Sequence, residues 1–195
     1  MAEVFYWHSW LVVIIILFFL PSSRTRFWLV SSVLVIMILY QYSFSAYNIT
    51  ISSNVMVMLF IGLTLWLKPG RIFVRFFSPV LIAIGFTCVK LFTMMHPVWY
   101  VLISDYIIII SLYVLIGVYQ FTLYEQLGLW VLGMALAHLM LSATMSLVAF
   151  PLADSSQEMM IACMKGMLIL LIIHSVRHLK AWLMKVGSNK GAVPL

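Results

Sequence analysis

Ionisable side chains inside otherwise apolar stretches are the residues of this sequence with the clearest capacity for chemistry. They are Lys90, Asp105, Lys165 and His138. A charge in hydrocarbon costs about 2.5–3.5 kcal/mol on insertion scales, so such residues are functional candidates by default. A carboxylate flanked by one or two ammonium groups would be neutral as a set, whereas a buried imidazole could relay a proton.

Three of these residues are expected at a similar depth below one face of a membrane. Lys90 lies about 6 residues, or ~9 Å, from the end of its apolar run, and Asp105 lies about 8 residues, or ~12 Å, from the start of the next. Lys165 is placed similarly in the last run. Three interpretations stay open: a structural ion pair, lysines that snorkel to the interface, or a site that handles a solute or a proton.

The surroundings of His138 indicate a central helix. The nearby residues Gly133, Ala137, Ser142 and Ala143 are small and allow helices to approach closely. We therefore expect His138 to face the interior of a bundle. A hydrogen-bonded structural histidine and a proton-relay residue both fit that position.

Two further patterns resemble metal ligands. His174 and His178 are spaced i, i+4, but Arg177 and Lys180 beside them would oppose a cation. A second helical face carries sulfur ligands of the kind that suit Cu(I). Its residues are Met160, Cys163, Met164 and Met167. Methionine packs readily in apolar cores, and Lys165 adds an adverse charge, so we expect neither a metal nor a cofactor.

The composition indicates that the segments that carry these residues lie in a membrane. Hydrophobic residues make up 65% of the 195 residues and charged residues 8%, against roughly 45–50% and about 25% in soluble domains. So few charges could not cover the surface of a soluble fold, so the surrounding medium is expected to be lipid. The net charge of +6 is expected to lie at helix ends beside anionic lipid, and no nucleic-acid partner is expected.

The apolar runs predict an all-α transmembrane bundle of about seven spans. The first four cover residues 4–20, 27–42, 55–67 and 76–95. Residues 98–150 would form a helix of ~80 Å, too long for a bilayer core of about 30 Å. We divide this segment at Glu125-Gln126, with the sixth span beginning near Leu127, and the seventh covers residues 159–176.

The distribution of charge predicts an external N-terminus and a cytoplasmic C-terminus. With that orientation, the basic residues of three loops or tails all lie inside, and the external segments hold no Lys or Arg. Asp154 and Glu158 are expected outside, in the loop before the last span. The inside residues are Arg24, Arg26, Lys68, Arg71, Arg75, Arg177, Lys180, Lys185 and Lys190. The predicted organisation is one transmembrane domain, residues 1–180, followed by a short basic cytoplasmic tail, residues 181–195.

The N-terminal segment resembles that of a known family. Phe5-Tyr6-Trp7-His8-Ser9-Trp10, followed by an apolar run and the basic turn Arg24-Thr25-Arg26, is similar to the start of the YphA-type proteins, small polytopic membrane proteins of Bacillus and relatives. The resemblance implies a multi-pass protein of a bacterial plasma membrane. It implies no activity, and it supplies no functional residues.

Two classes of function follow from these observations. The sequence favours a non-enzymatic membrane protein that binds partners or acts as an accessory subunit, because no catalytic motif occurs. Its expected partners are the lipid bilayer and another membrane protein. The alternative is a small-solute or proton transporter or an ion pathway that uses Asp105, Lys90, Lys165 and His138. Against it, no Gly/Pro-interrupted helices occur in matching halves of the chain.

Overall fold

Helices form most of the chain that the structure, a computed structural model, describes. The described residues are 2–46, 49–67, 72–96, 110, 122–148 and 155–190. In chain order the elements are α1 (Ala2–Phe19), α2 (Arg24–Leu39), β1 (Ser43–Ala46), β2 (Ile49–Ser52), α3 (Ser53–Trp66), α4 (Ile72–Met95), α5 (Leu123–Val148) and α6 (Ser155–Lys190). Helices suit lipid surroundings because each satisfies its own backbone hydrogen bonds.

The helices coincide with six of the predicted spans. Within the described residues, four segments are long and apolar enough to cross a membrane, and they are Ala2–Phe19, Phe77–Met95, Leu123–Leu147 and Gln157–Lys180. α3 is a shorter apolar helix of 14 residues. The predicted fifth span, which contains Asp105, lies outside the described residues.

A short β hairpin, which was not predicted, connects α2 to α3. β1 and β2 pair antiparallel, with Ser43 opposite Ser52 and Ala46 opposite Ile49. The backbone N–H and the hydroxyl of Ser53 both donate to the carbonyl of Tyr42, at 3.1 and 2.8 Å. These bonds bring the end of α2 beside the start of α3.

The boundaries of the last two helices differ from the prediction. α5 begins at Leu123 rather than near Leu127, because Glu125 belongs to its first turn and caps it. The Glu125 carboxylate accepts hydrogen bonds from the backbone N–H and the hydroxyl of Thr122, both at 2.9 Å, and the first of these bonds is the carboxylate half of a capping box. α6 continues to Lys190, well past the predicted end at Val176. Its 36 residues span about 54 Å, more than a bilayer core of about 30 Å.

α5 is the central helix, as the small residues around His138 predicted. It packs against α3, α4 and α6, while α1 packs against α6 and α2. Glycines bring these helices close: a Cβ on Gly133 would lie 2.7 Å from Ile82 Cγ2 of α4, and one on Gly62 of α3 would lie 2.8 Å from Leu132. Ala143, in contrast, is exposed and does not contribute to this packing.

The first two helices are held together at the turn between them. The Ser23 hydroxyl accepts a hydrogen bond from the backbone N–H of Arg26 at 3.2 Å and so caps α2. The Arg26 guanidinium donates to the carbonyls of Leu17 and Leu20, both at 3.3 Å. Carbonyls at the end of a helix lack partners within the helix, so the Arg26 side chain caps the C-terminal end of α1.

Candidate intramembrane polar site

Lys90 forms an ion pair in the interior of the bundle. Its Nζ lies 2.7 Å from Oε2 of Glu158, and the side chains are 6% and 25% exposed. Lys90 stands near the end of α4, and Glu158 stands in the first turn of α6. The end of one helix and the start of the other therefore lie together at one end of the bundle.

Two threonine hydroxyls of α4 form hydrogen bonds on either side of Lys90, one to α5 and one within α4. The Thr87 hydroxyl, one turn earlier, donates to the carbonyl of Ala137 in α5 at 3.3 Å. The Thr93 hydroxyl donates to the carbonyl of Lys90 at 2.9 Å. Both threonines are buried, so the polar face of α4 is directed into the protein.

The predicted cluster of Lys90, Asp105 and Lys165 is described only in part. Asp105 lies outside the described residues. Lys165 is half-buried and follows Glu158 by about two turns on the same face of α6, or ~10 Å along its axis. Lys90 thus has a carboxylate partner, Glu158. The sequence predicted that Glu158 lies in an external loop.

His138 lies in the interior of the bundle. It is 6% exposed, which confirms the expected inward orientation. No described residue gives its Nδ1 atom a hydrogen-bond partner. The adjacent carbonyl of Ala137 accepts the Thr87 bond, so His138 lies one residue from the contact that holds α4 to α5.

The residues with metal-ligand spacing occupy two different environments. The sulfur side chains of α6 belong to the apolar core, and they are Met160, Cys163, Met164 and Met167. The Trp130 indole N–H donates to the carbonyl of Cys163 at 3.0 Å, and the indole lies where a Cβ on Gly166 would be. His174 and His178 are exposed on α6. The arrangement of the sulfur residues is that of packing against α5.

Glu158 is the residue of this site that sequence reasoning missed. Because it precedes the last apolar run, it was assigned to an external loop with Asp154. One signal in the sequence could have indicated the pair: Glu158 and Lys90 have opposite charges and lie near the same predicted face. Pairing also requires that α4 and α6 come together, which hydropathy does not report.

Comparison with known proteins agrees with a membrane location. The family model described as YphA-like integral membrane protein matches residues 3–192. The curated protein named "Uncharacterized protein YphA", from Bacillus subtilis (strain 168), is 28% identical over 113 residues, which cover 57% of each chain. This chain thus matches a little over half the length of that relative. No solved structure matches the chain significantly.

Proposed function

The chain belongs to the family of YphA-like integral membrane proteins, and from this premise we propose that it is a non-enzymatic accessory protein that binds another membrane protein. It acts in the bacterial plasma membrane as a multi-pass bundle. The partner is a transmembrane helix of that second protein. The contact surface is a groove between α2 and α3.

The observation that carries this proposal is the shape and lining of the groove, called here the α2–α3 groove. Its volume is about 410 Å³. It is lined by Trp28, Ser31, Ser32, Val35, Met56, Val57, Phe60 and Ile61. Trp28 and Phe60 are more than half exposed, so large apolar side chains form the rim and two serines lie between them.

Several properties of the groove favour a helix as its occupant. Small hydroxyl residues at a lipid-facing surface permit close helix contact. α2 and α3 have 16 and 14 residues, so they span about 24 and about 21 Å, less than a bilayer core of about 30 Å. Short spans are accommodated in part by association with other helices, because that reduces the mismatch with the lipid.

The proposed topology has seven spans, with the N-terminus outside and the C-terminus in the cytoplasm. The Lys90–Glu158 contact supports it, since the proposed topology requires the end of α4 and the start of α6 to share a face. The basic residues at the end of α6 support it as well, because such residues collect in the cytoplasm. A 36-residue α6 would extend from the membrane on that side.

The alternative, a proton or solute pathway through Lys90, Asp105, Lys165 and His138, has less support. The Lys90 ammonium lies 2.7 Å from a carboxylate, and an ion pair in the interior requires good geometry to offset its desolvation. This contact favours a structural role for Lys90.

Site-specific photo-crosslinking in native membranes tests the proposed function. A photoreactive residue in place of Phe60 should yield an adduct with a different membrane protein. The matched control is Phe18 of α1, an equally large residue that is 81% exposed but does not line the groove, and it should yield none. Lipid adducts alone at both positions, or an adduct of two copies of this chain, would contradict the proposal.

A further inference from the structure

Several buried polar atoms have no hydrogen-bond partner in the described part of the chain. In the described residues these atoms are Tyr40 Oη, Asn54 Oδ1, Asn54 Nδ2, His138 Nδ1 and Ser142 Oγ. Asn54 is 0% exposed, Ser142 3% and His138 6%. We refer to the four side chains as the polar cluster.

The packing of α3 against α5 brings three of these residues to one level. The two helices are antiparallel, because Gly62 meets Leu132 while Gly128 meets Leu65. Asn54 precedes Gly62 by ~12 Å along α3, whereas His138 and Ser142 follow Leu132 by ~9 and ~15 Å along α5. The level of Asn54 therefore falls between those of His138 and Ser142, which share a face of α5 at i, i+4 spacing.

Tyr40 reaches the same region from the end of α2. Its neighbour Tyr42 accepts two hydrogen bonds from Ser53, the residue before Asn54. The Tyr40 ring stacks on Phe5 of α1, with ring centroids 4.1 Å apart, and Phe5 is fully buried. The first two helices thus close this end of the interior with aromatic side chains.

The orientation of the Ser142 hydroxyl distinguishes it from other helical serines in this protein. Ser9, Ser32 and Ser175 each donate to the carbonyl four residues earlier, at 2.7–2.9 Å. This local bond is the usual way for a serine to satisfy its hydroxyl within a helix. Ser142 could form the same bond with the carbonyl of His138, but its Oγ has no partner among the described residues. The side chain is therefore directed elsewhere in the interior.

Unpaired polar atoms in an apolar interior are destabilising, and each such group in a folded protein calls for a partner. We infer that the polar cluster binds a small uncharged molecule that both donates and accepts hydrogen bonds, as a primary amide or a polyol does. The amide and the hydroxyls each offer a donor and an acceptor, and His138 Nδ1 is either one according to its tautomer. None of the cluster residues supplies a fixed charge, and the buried Lys90 is engaged by Glu158.

This inference is independent of the α2–α3 groove, so crosslinking at Phe60 does not affect it. It is tested on the full-length protein in detergent micelles with ¹⁵N-labelled histidine, the His138 signal being assigned with His138→Gln. Acetamide and glycerol serve as the amide and polyol probes. We expect one of them to shift the His138 ring signals saturably, and Ser142→Ala to weaken that binding about tenfold, as the loss of one hydrogen bond implies.

Two controls make the outcome decisive. Ser175→Ala removes a buried hydroxyl that is already satisfied within α6, and it should leave the titration unchanged. Ser142→Ala deletes a single atom, so it keeps the packing even if Asn54→Leu fails to fold. No saturable shift with either probe, or contact of His138 with water alone, would overturn the inference.

Discussion

α5 and α1 are both apolar helices long enough to cross a membrane, yet 72% of the α5 span is buried and only 28% of the α1 span. Hydropathy therefore identifies the medium around a helix and not its place in the bundle. The difference lies in the small residues. α5 carries Gly128, Gly133, Ala135 and Ala137 along its buried faces, whereas α1 presents mostly large aliphatic and aromatic side chains to its surroundings.

Truncation of a tryptophan should reveal the largest difference in stability between α5 and α1. Trp130→Ala removes a fully buried indole and its bond to the Cys163 carbonyl, and it should lower the free energy of unfolding by about 3–5 kcal/mol. Trp10→Ala on α1 is the matched control, because Trp10 is 51% exposed. Unfolding of both variants in mixed micelles measures the difference. Equal losses would show that α5 is not the central helix.

The ion pair gives the next largest expected effect. Glu158→Gln removes the Glu158 carboxylate from the buried Lys90 ammonium and should cost about 2–3 kcal/mol, reduced from a fully buried pair because Glu158 retains some exposure. Lys90→Met should cost less, since it leaves behind the more exposed partner. The double variant should recover most of the loss. Strictly additive losses in this double-mutant cycle would show that the two residues do not interact.

Added volume at the α4–α5 contact should have a smaller effect. Gly133→Ala places a methyl group 2.7 Å from Ile82 Cγ2, and the strain should cost about 1–3 kcal/mol. Ala143→Val also enlarges α5, but at an exposed position, so its melting temperature should match the unmodified protein. If Ala143→Val destabilised the protein and Gly133→Ala did not, α4 would pack on the face of α5 that carries Ala143 and not on the face that carries Gly133.

The smallest expected effect concerns the helix caps. Thr122→Ala removes one of the two donors to Glu125 and should cost about 1 kcal/mol. Ser23→Ala at α2 should cost less, because the contact of Ser23 with Arg26 is exposed and water can replace the hydroxyl, whereas Thr122 bonds to the buried Glu125. Thermal unfolding of the two variants measures the stability that each one loses. A greater loss for Ser23→Ala than for Thr122→Ala would contradict the expectation that the central helix is the more sensitive of the two.

Much of the helical architecture could be predicted because hydrocarbon restricts the backbone to a few structures. The ends of α1 and α3 lie within one residue of the ends predicted from the apolar runs, because polar and helix-breaking residues follow both runs. The hairpin could not be predicted, since Ile49 and Ile51 continue an apolar pattern that short strands and helices share. The start of α5 was misplaced because Glu125 was taken as a loop residue rather than as part of a cap.

The candidate site was predicted less completely. The burial of Lys90 and His138 followed from their position within apolar runs. The partner of Lys90 did not, because any carboxylate near the same face was a possible partner until the positions of α4 and α6 were known. Asn54 and Ser142 gave no signal, since uncharged polar residues are common in membrane helices and only packing shows which lack partners.

Cysteine labelling of intact cells tests the proposed membrane topology most directly. Cys88 and Cys163, the two cysteines of the chain, are first replaced by alanine, and a single cysteine is introduced at Ser155 or at Lys185. An impermeant maleimide added outside should label Ser155→Cys, near the Lys90–Glu158 pair, and should label Lys185→Cys only after the membrane is permeabilised. Labelling of both positions from the same side would contradict a helix α6 that crosses the membrane.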